Sequence, residues 1–588
     1  MNQEGRHPGE MVSAALRELQ EAVAEAHNAN LREAPARLKE EVTHTLAFAE
    51  KMTPDRTPEE IDTAKLALRV ALDRLRIDPD AATIGELQEM VRTGKLTYER
   101  LVRMYLARID LYSARTVRLN AIACLNPNAI RLAMERDAAV QADPSLAAGL
   151  FGIPVLIKDN IGTAAADGMP TTAGSIALAN HFPAEDAFVV RQLKKSGAVI
   201  LGKTNLSEFA NFITFGMRNG YSSLHGQVLN PYGPDVLDVS GSSSGSGAAA
   251  AAALAAVTVG TETSGSILSP AALNSLVGLK PTVGLVSRNG VIPLAHSQDT
   301  AGPMGRNVSD VAALLTAMQG YDPDESYLPM GADNEIEITE SYLGERLKNY
   351  AEDLRVDGLQ GKVLGVYRTP DKEETPDVHE VFLCAVQALR DQGAKIVYAG
   401  NGGDLADELP KQPDTKVLFY DFKEDIEQYL LAQAQPALAE DGETEIRSLA
   451  DIVNYNRRYP ERIPYGQSIL EECLQYDMTP GSKDAQTSLE HRAEDLKYSR
   501  KNGLNALFSK YGLDGLIAMN GAATAIAAMA GYPSITVPAG YCTAEGSQGQ
   551  PINLQITGDA FTEDSLIRMG YAFEQATKAR IAPEMTVR

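Results

Sequence analysis

DVSGSSSGSGAAAAAALAAVTVGTETSGSILSP, residues 238–270 of the 588-residue chain, contains two serine–glycine clusters on either side of a run of alanines. Glycine lets the backbone adopt positive φ and lets a ligand approach the main chain. Alanines are strong helix formers with almost no side chain, which suits a helix packed on every side. The stretch therefore predicts a tight loop, a fully buried helix and a second tight loop over Gly260 to Ser266. Free N–H groups of that second loop can gather round one point and form an oxyanion hole.

Two other interpretations of the first cluster compete with this one. Gly241 to Gly245 also fits G-x-S-x-G, the nucleophile elbow of α/β-hydrolases, with Ser243 as the nucleophile. The elbow needs a strong strand before it, and YGPDVLD at 232–238 predicts a turn with at most a short strand. A flexible Gly/Ser linker is disfavoured because apolar sequence on a βα pattern follows the cluster, and linkers do not lie inside cores.

The stretch resembles the amidase signature hydrolases, and the similarity continues on both sides of it. Gly278 to Thr282 and Ser297 to Met304 extend the match downstream. GIPVLIKDN at 152–160 looks like the lysine motif of that family, and residues 528–540 and 571–577 look like its C-terminal segments. The resemblance covers residues 83–580.

This resemblance implies a Ser-cis-Ser-Lys triad in an amidohydrolase that forms an acyl-enzyme. Ser266 corresponds to the nucleophile, Ser242 to the bridging serine after a cis peptide bond, and Lys158 to the base. Neutral Lys158 is expected to take the proton of Ser242, which takes the proton of Ser266 during attack on an amide carbonyl. The oxyanion is expected to bind the backbone N–H groups of Thr263, Ser264, Gly265 and Ser266. We expect neither a cofactor nor a metal.

Lys158 follows a short apolar run, Ile153 to Ile157, that predicts a buried strand. The strand would carry the lysine to the carboxyl edge of the sheet, in a poorly hydrated place. A free lysine has a pKa near ~10.4, and a shift of about three units, roughly 4 kcal/mol, would make it a base near neutral pH. Asp159 would oppose that shift on the same face, but strand alternation sends neighbouring side chains to opposite faces.

Other catalytic groups are less favoured by the sequence. Lys203 and Lys280 are rival bases, and Lys280 precedes Pro281 in a predicted turn, so we interpret it as structural. A Ser-His-Asp mechanism is the main rival. No recognisable acid motif adjoins any of the histidines outside the N-terminal segment, which are His181, His225, His296, His379 and His491. Neither H-E-x-x-H nor paired cysteines occur, which disfavours metal catalysis.

The residue two positions after Ser266 bears on the substrate. Many members of the resembled family have an arginine there, which in some grips a substrate carboxylate, whereas this chain has Leu268. Ser264 also replaces a glycine of that pattern. The sequence looks most like the peptide-amidase branch, so we expect C-terminal peptide amides or another neutral amide as substrate. An aryl or fatty amide, or an ester, would use the same site.

An alternative of a different class is a catalytically silent subunit of a complex. In that interpretation, residues 1–80 would be its docking arm. In an active enzyme the same residues would be a stabilising appendage or a homodimer contact. The presence of Lys158, Ser242 and Ser266 argues against a silent subunit.

Charge, cysteine spacing and the length of apolar runs indicate which classes of partner and which cellular location to expect. The formal net charge of −24 argues against nucleic acid or anionic membranes as partners, because both would repel the protein. Four widely spaced cysteines make neither a disulfide framework nor a metal site. No run of eighteen apolar residues marks a membrane span, and no signal-peptide pattern opens the sequence, so we expect a soluble cytoplasmic protein.

The sequence divides into an N-terminal helical segment and a catalytic domain. Residues 1–80 predict a helical bundle or hairpin, with a capping box at Thr57 and Glu60 opening the third helix. In residues 81–588, apolar strand patterns alternate with helical ones, which predicts an α/β fold with a mixed sheet covered by helices on both faces. Within it, residues 405–500 turn acidic and helical and predict a peripheral helical layer.

Overall fold

The computed structural model describes residues 8–32 and 34–585 of the chain, which contain a large sheet surrounded by helices. The helices are α1 (Pro8–Asn28), α2 (Ala36–Ala49), α3 (Pro58–Arg74), α4 (Ile84–Arg92), α5 (Tyr98–Arg108), α6 (Ala129–Ala142), α7 (Phe188–Lys195), α8 (Glu208–Asn211), α9 (Ser244–Ala251), α10 (Leu268–Leu273), α11 (Val308–Met318), α12 (Glu340–Gly344), α13 (Pro376–Asp391), α14 (Val417–Ala432), α15 (Leu449–Asn456), α16 (Ser468–Cys473), α17 (Lys483–Leu496), α18 (Asn505–Tyr511), α19 (Thr524–Ala530) and α20 (Glu563–Thr577). The strands are β1 (Ile122–Leu125), β2 (Pro154–Lys158), β3 (Val199–Thr204), β4 (Tyr221–Ser222), β5 (Gly226–Gln227), β6 (Val257–Glu262), β7 (Val277–Lys280), β8 (Thr300–Gly305), β9 (Val363–Val366), β10 (Lys395–Val397), β11 (Ala437–Leu438), β12 (Glu445–Ile446), β13 (Gly515–Met519), β14 (Ser534–Tyr541) and β15 (Pro551–Thr557).

The main sheet has eleven strands in the order β1-β3-β2-β6-β8-β7-β14-β15-β13-β9-β10. β2 runs parallel to both β3 and β6, and β9 runs parallel to β10 and β13. The remaining pairs are antiparallel, including the long β14–β15 pair. The predicted mixed α/β sheet is therefore confirmed.

Helices cover both faces of this sheet. On one face of β14, Ile535 and Val537 lie against Gly570 of α20. The intervening residue Thr536 points to the opposite face, as strand alternation requires. It is paired with Gly278 of β7, where Ala271 of α10 packs closely. The sheet is thus buried between two helical layers, which explains why its strands are almost entirely apolar or uncharged.

The N-terminal helices α1, α2 and α3 share an apolar core of their own. The predicted capping box opens α3, because Thr57 accepts from the N–H of Glu60 while the Glu60 carboxylate accepts from the N–H of Thr57. Arg74, at the end of α3, is buried and pairs with Glu41 of α2 and with Asp80 beyond α3. These buried ion pairs connect the end of α3 to α2 and to the segment that leads into α4.

Between the sheet and solvent, α14, α15 and α16 form a second apolar cluster with segments 173–178, 209–213 and 292–295. The short ribbon β11–β12 lies between α14 and α15 in the chain. This layer therefore packs on loops that follow β2, β3 and β7. Among the described residues, no helix is long and apolar enough to cross a membrane.

Candidate active site

Two parallel strands bring the predicted base and the predicted oxyanion loop to one edge of the sheet. Ile157 of β2 is paired with Val259 of β6, and both strands end within three residues of that pair. Lys158 is the last residue of β2, and Thr261 and Glu262 end β6. The loop that follows β6 therefore starts beside Lys158.

The second loop begins later in the chain than the sequence predicts. β6 continues through Gly260, which pairs with Gly302 of β8, so the loop starts at Thr263. Gly260 is required inside the strand because a Cβ there would lie 2.8 Å from Oγ of Ser243. The glycine that we interpreted as a loop residue is thus needed for close packing.

The alanine-rich stretch forms α9, and every residue of that helix is buried, as predicted. α9 packs closely against the segment that follows β3, because a Cβ on Gly245 would lie 2.3 Å from the carbonyl oxygen of Asn205. Ser243, the nucleophile of the elbow interpretation, is fully buried; its hydroxyl donates to the carbonyl of Thr261 at 3.0 Å and accepts from the Thr261 N–H at 3.2 Å. Ser243 therefore connects the start of α9 to β6 through two hydrogen bonds.

Lys158 contacts Ser242 directly. The peptide bond between Gly241 and Ser242 is cis. Nζ of Lys158 lies 2.7 Å from Oγ of Ser242, 2.9 Å from Oγ1 of Thr261 and 3.3 Å from the Thr261 carbonyl oxygen. Lys158 and Ser242 are both 0% exposed. Burial lowers the pKa of Lys158 to about 7, opposed by the more distant carboxylates of Asp299 and Glu262.

Asp159 does not face Lys158, as strand alternation predicts. Its carboxylate accepts hydrogen bonds from the hydroxyl and the N–H of Thr172. The lysine amine has no carboxylate partner within hydrogen-bond distance among the described residues, which is why burial dominates its pKa.

Ser266 lies in the loop after β6, next to the Ser242 segment. Its carbonyl oxygen accepts from the N–H of Ser243 at 3.2 Å. The Ser266 hydroxyl makes no hydrogen bond with the described residues, and the residue is 7% exposed. The structure thus joins Lys158 to Ser242 by side chains and joins the two serine loops through the backbone.

Glu262 shapes the loop that carries Ser266, a role that the sequence analysis missed. Oε1 of Glu262 accepts from the N–H of Gly265 at 2.8 Å, and Oε2 accepts from the N–H groups of Ile267 at 2.8 Å and Leu268 at 2.9 Å. Gly265 has φ of 90°, which strains any residue with a side chain. A lone glutamate in a stretch of Ser, Thr and Gly was the available signal.

The four predicted oxyanion donors differ in what they contact. The Gly265 N–H donates to Glu262. Within residues 8–32 and 34–585, the N–H groups of Thr263, Ser264 and Ser266 have no acceptor. Three of the four predicted donors are therefore available to a ligand.

Asp299 lies on the other side of this loop and was also missed. It accepts from the Thr263 hydroxyl and, through Oδ2, from the N–H groups of Leu294 at 2.8 Å and Ala295 at 2.9 Å. Burial raises the Asp299 pKa to about 6. Its negative charge opposes the effect of burial and raises the pKa of Lys158.

The rival bases lie in other places. Lys203 donates to Thr171, and burial lowers its pKa to about 8. Lys280 ends β7 and pairs with Ser534, so our placement of it in a turn was wrong; its amine donates to the Pro281 carbonyl at 3.1 Å. Neither amine contacts Ser242 or Ser266.

Two histidines do meet carboxylates, although neither reaches the serine loops. Nδ1 of His296 lies 2.9 Å from Asp425, and Nε2 of His225 lies 3.5 Å from Asp159. No histidine among the described residues hydrogen-bonds to Ser242 or Ser266. The geometry therefore gives a Ser-His-Asp arrangement no support.

Known proteins resemble this chain over most of its length. Residues 100–400 match the family model described as Amidase. A probable amidase of Arabidopsis thaliana is 36% identical over 516 residues, which cover 86% of this chain and 91% of that protein. Native peptide amidase from Stenotrophomonas maltophilia, whose structure is known, is 37% identical in sequence and superposes with a TM-score of 0.75. The match covers 86% of this chain and 99% of the peptide amidase chain. An amidase family protein from Bacillus anthracis is 34% identical, with a TM-score of 0.75, over 93% of this chain and 98% of its own. The chain therefore belongs to the amidase family and is a hydrolase that acts on amide C–N bonds.

Proposed function

We propose that the protein hydrolyses neutral carboxamides with Ser266 as nucleophile, Ser242 as proton relay and Lys158 as base. The observation that carries this proposal is a fully buried lysine, with its pKa lowered to about 7, that lies 2.7 Å from the Ser242 hydroxyl. An amine that is largely uncharged near neutral pH has a lone pair with which to accept a proton.

Thr261 orients that lone pair. A neutral amine has two N–H donors, and the hydroxyl and carbonyl oxygens of Thr261 lie 2.9 and 3.3 Å from Nζ. With both N–H groups directed at Thr261, the lone pair of Lys158 faces Ser242. Ser242 then passes its proton to the lysine and accepts the proton of Ser266 as the substrate carbonyl is attacked.

The negative charge that develops on the carbonyl oxygen is held by backbone amides. The N–H groups of Thr263, Ser264 and Ser266 are free for this purpose, whereas Gly265 is engaged by Glu262. Removal of one such donor typically costs about 3–4 kcal/mol of barrier. We infer that Gly265 and Glu262 shape the loop so that its neighbours converge on the oxyanion.

Collapse of the tetrahedral intermediate breaks the C–N bond. Ser242 gives its proton to the leaving nitrogen and regains one from Lys158, which returns the amine to its neutral form. Water then attacks the acyl ester on Ser266 and gives a proton to Ser242, which gives its own to Lys158. When the second tetrahedral intermediate collapses, the relay runs in reverse, the Ser266 oxygen regains a proton and the carboxylic acid is released. Each step conserves protons without a cofactor.

We propose neutral amides, with C-terminal peptide amides first, as substrates. Leu268 is buried and uncharged, at the position where some members of the resembled family carry an arginine that grips a substrate carboxylate. The 37% identity to a peptide amidase over 86% of the chain supports the peptide-amide assignment.

A fluorophosphonate probe tests the assignment of the nucleophile. We expect one covalent adduct, mapped by mass spectrometry to Ser266, together with ammonia release from peptide amides. An adduct on Ser243 would support the elbow instead. The absence of any adduct and of any ammonia release would favour a silent subunit.

Replacement of Glu262 by glutamine should slow the reaction without unfolding the protein. The variant Glu262→Gln loses an acceptor for at least one of three loop amides, which shifts the oxyanion donors. A misplacement of about 1 Å can cost ~10²-fold, so we expect kcat/KM to fall by about that factor. Glu563→Gln is the matched control, because Glu563 is also a buried glutamate that accepts a backbone N–H, from Thr282 at 2.7 Å. An equal loss of activity in both variants would show a general effect of buried glutamates.

Replacement of Asp299 by asparagine should move the pH dependence of the reaction. The carboxylate of Asp299 raises the pKa of Lys158, so its removal lowers that pKa. The rising limb of kcat/KM against pH should therefore shift to lower pH in Asp299→Asn, whatever the loss in maximum rate. An unshifted limb would mean that Asp299 does not act on the base.

A further inference from the structure

The far end of α9, away from Ser242, is surrounded by three arginines. Arg108 donates through Nε and NH2 at 2.8 and 2.7 Å, Arg306 through NH1 at 3.2 and 3.0 Å, and Arg580 through NH2 at 3.2 Å. All of these bonds end on carbonyl oxygens of residues 250–253 and 255. Cations are favourable at a helix C-terminus, so part of this arrangement is explained by the helix itself.

The carbonyl oxygens at the end of α9 do not accept hydrogen bonds from all of the arginine N–H groups. Nε and NH2 of Arg306, NH1 of Arg108 and Nε of Arg580 are buried and make no hydrogen bond within the described part of the chain, although the buried Tyr105 hydroxyl lies close to Arg306. Arg306 is 4% and Arg108 1% exposed. The nearest ion pair of Arg108 is with Asp80 at 3.9 Å. Buried donors without acceptors are unfavourable, which makes an added acceptor stabilising.

A cavity of about 240 Å³ is lined by two of these arginines, Arg306 and Arg580, and we call it the arginine cavity. Its polar lining includes Arg306, Asn307, Glu574, Gln575, Lys578 and Arg580. Three cations thus line the cavity with one carboxylate, that of Glu574, and a second buried carboxylate, that of Asp310, lies close enough to act on both Arg306 and Glu574.

Glu574 only partly neutralises those cations. One of its oxygens accepts from the N–H of Val308 at 2.8 Å and the other from Gln575 at 3.2 Å. Burial raises the Glu574 pKa to about 7, so it carries part of a charge at neutral pH. Asp310 and the partly protonated Glu574 together offset part of the charge of the three lining cations, so the cavity keeps a small surplus of positive charge.

We propose that the arginine cavity binds a small tetrahedral oxyanion of the phosphate or sulfate class. Guanidinium groups present fixed, planar pairs of N–H donors that match such oxygens and form charge-assisted hydrogen bonds. The cavity is several times the ~30 Å³ occupied by one water, which leaves room for a hydrated anion. The bound anion would pair with the arginines that hold the C-terminal end of α9, the helix whose other end follows Ser242. This proposal is independent of the proposed catalytic function.

Calorimetric titration of the full-length protein with sodium phosphate and with sodium sulfate tests the proposal, together with thermal unfolding in the same salts. We expect the titration to show one saturable site per chain, and the thermal scan to show a melting temperature raised by about 1–3 °C at saturation. Sodium chloride at equal ionic strength should give neither effect. Response to chloride equal to that to phosphate would reduce the effect to general screening and overturn the proposal.

Three variants locate the site. Arg580→Gln should weaken phosphate binding by about tenfold, as expected when one charge-assisted hydrogen bond is lost. Arg580 is chosen because it makes only one bond to the helix, so its loss leaves α9 held by the other two arginines. Glu574→Gln should strengthen binding, because it removes the competing carboxylate. Lys483→Gln, an exposed lysine on α17, is the control and should change nothing.

Opposite effects of Arg580→Gln and Glu574→Gln are required. Equal affinity in all variants would place any bound anion elsewhere and overturn the assignment, as would an absence of binding in the unaltered protein. Because these titrations measure no hydrolysis, their failure is distinguishable from failure of the amidase proposal.

Discussion

Replacement of Lys158 by methionine should lower kcat/KM for an amide substrate by at least about 10⁴-fold, the scale on which loss of a base in a coupled triad acts. Methionine fills a similar volume in the buried site but has no lone pair that can take the Ser242 proton. Steady-state ammonia release at saturating and at low substrate measures the loss. Activity within tenfold of the unaltered protein would remove Lys158 from the mechanism.

The same variant should be more stable than the unaltered protein, which separates a functional residue from a structural one. The pKa of Lys158 is about 7 in the fold and ~10.4 when unfolded. Because the folded value is the lower one, the buried amine destabilises the fold at pH values below the unfolded pKa. The penalty is at most about 4–5 kcal/mol at and below pH 7, and it disappears as the pH approaches 10.4. We expect Lys158→Met to raise the melting temperature at neutral pH, with the difference shrinking as the pH rises.

Replacement of Ser266 by alanine should abolish turnover, with kcat falling by about 10⁶-fold, the scale seen when a nucleophilic serine is removed. The Ser266 hydroxyl makes no hydrogen bond within the described ranges, so its loss should leave the melting temperature nearly unchanged. Both the rate of ammonia release and fluorophosphonate labelling should be lost together. Labelling that survives on another serine would mean that Ser266 is not the nucleophile.

Ser269→Ala is the matched control for that variant. Ser269 lies three residues further along the same segment, and its N–H, which alanine keeps, donates to the carbonyl of Gly265 at 2.8 Å. The control should retain activity within a few-fold. Comparable losses in both serine variants would point to disruption of the loop instead of removal of the nucleophile.

Several features of the site could be predicted because they are local in the sequence. The buried α9 follows from a run of alanines between glycines, and the position of Lys158 follows from an apolar strand that ends at it. The placement of Asp159 away from Lys158 follows from alternation along the strand. Sequence motifs and the periodicity of helices and strands were sufficient to predict where these residues lie.

Other features depend on contacts between distant segments, which a single sequence does not reveal. Glu262 holds three amides of its own loop, but a glutamate after a strand could equally face solvent. Asp299 reaches the Thr263 hydroxyl only because β8 lies beside β6. Gly260 belongs to the strand since β8 continues to pair with it, and Lys280 is held in β7 by β14. The order of the eleven strands decides all of these contacts.

The central claim, that Lys158 is uncharged when it acts, is tested most directly by the pH dependence of fluorophosphonate labelling at Ser266. The labelling rate reports activation of the serine without dependence on acyl release. We expect the rate to rise with pH through an apparent pKa of about 7 and to level off above it, because the lysine loses its proton there. A rate that keeps rising towards pH ~10.4, where an ordinary lysine titrates, would contradict the account.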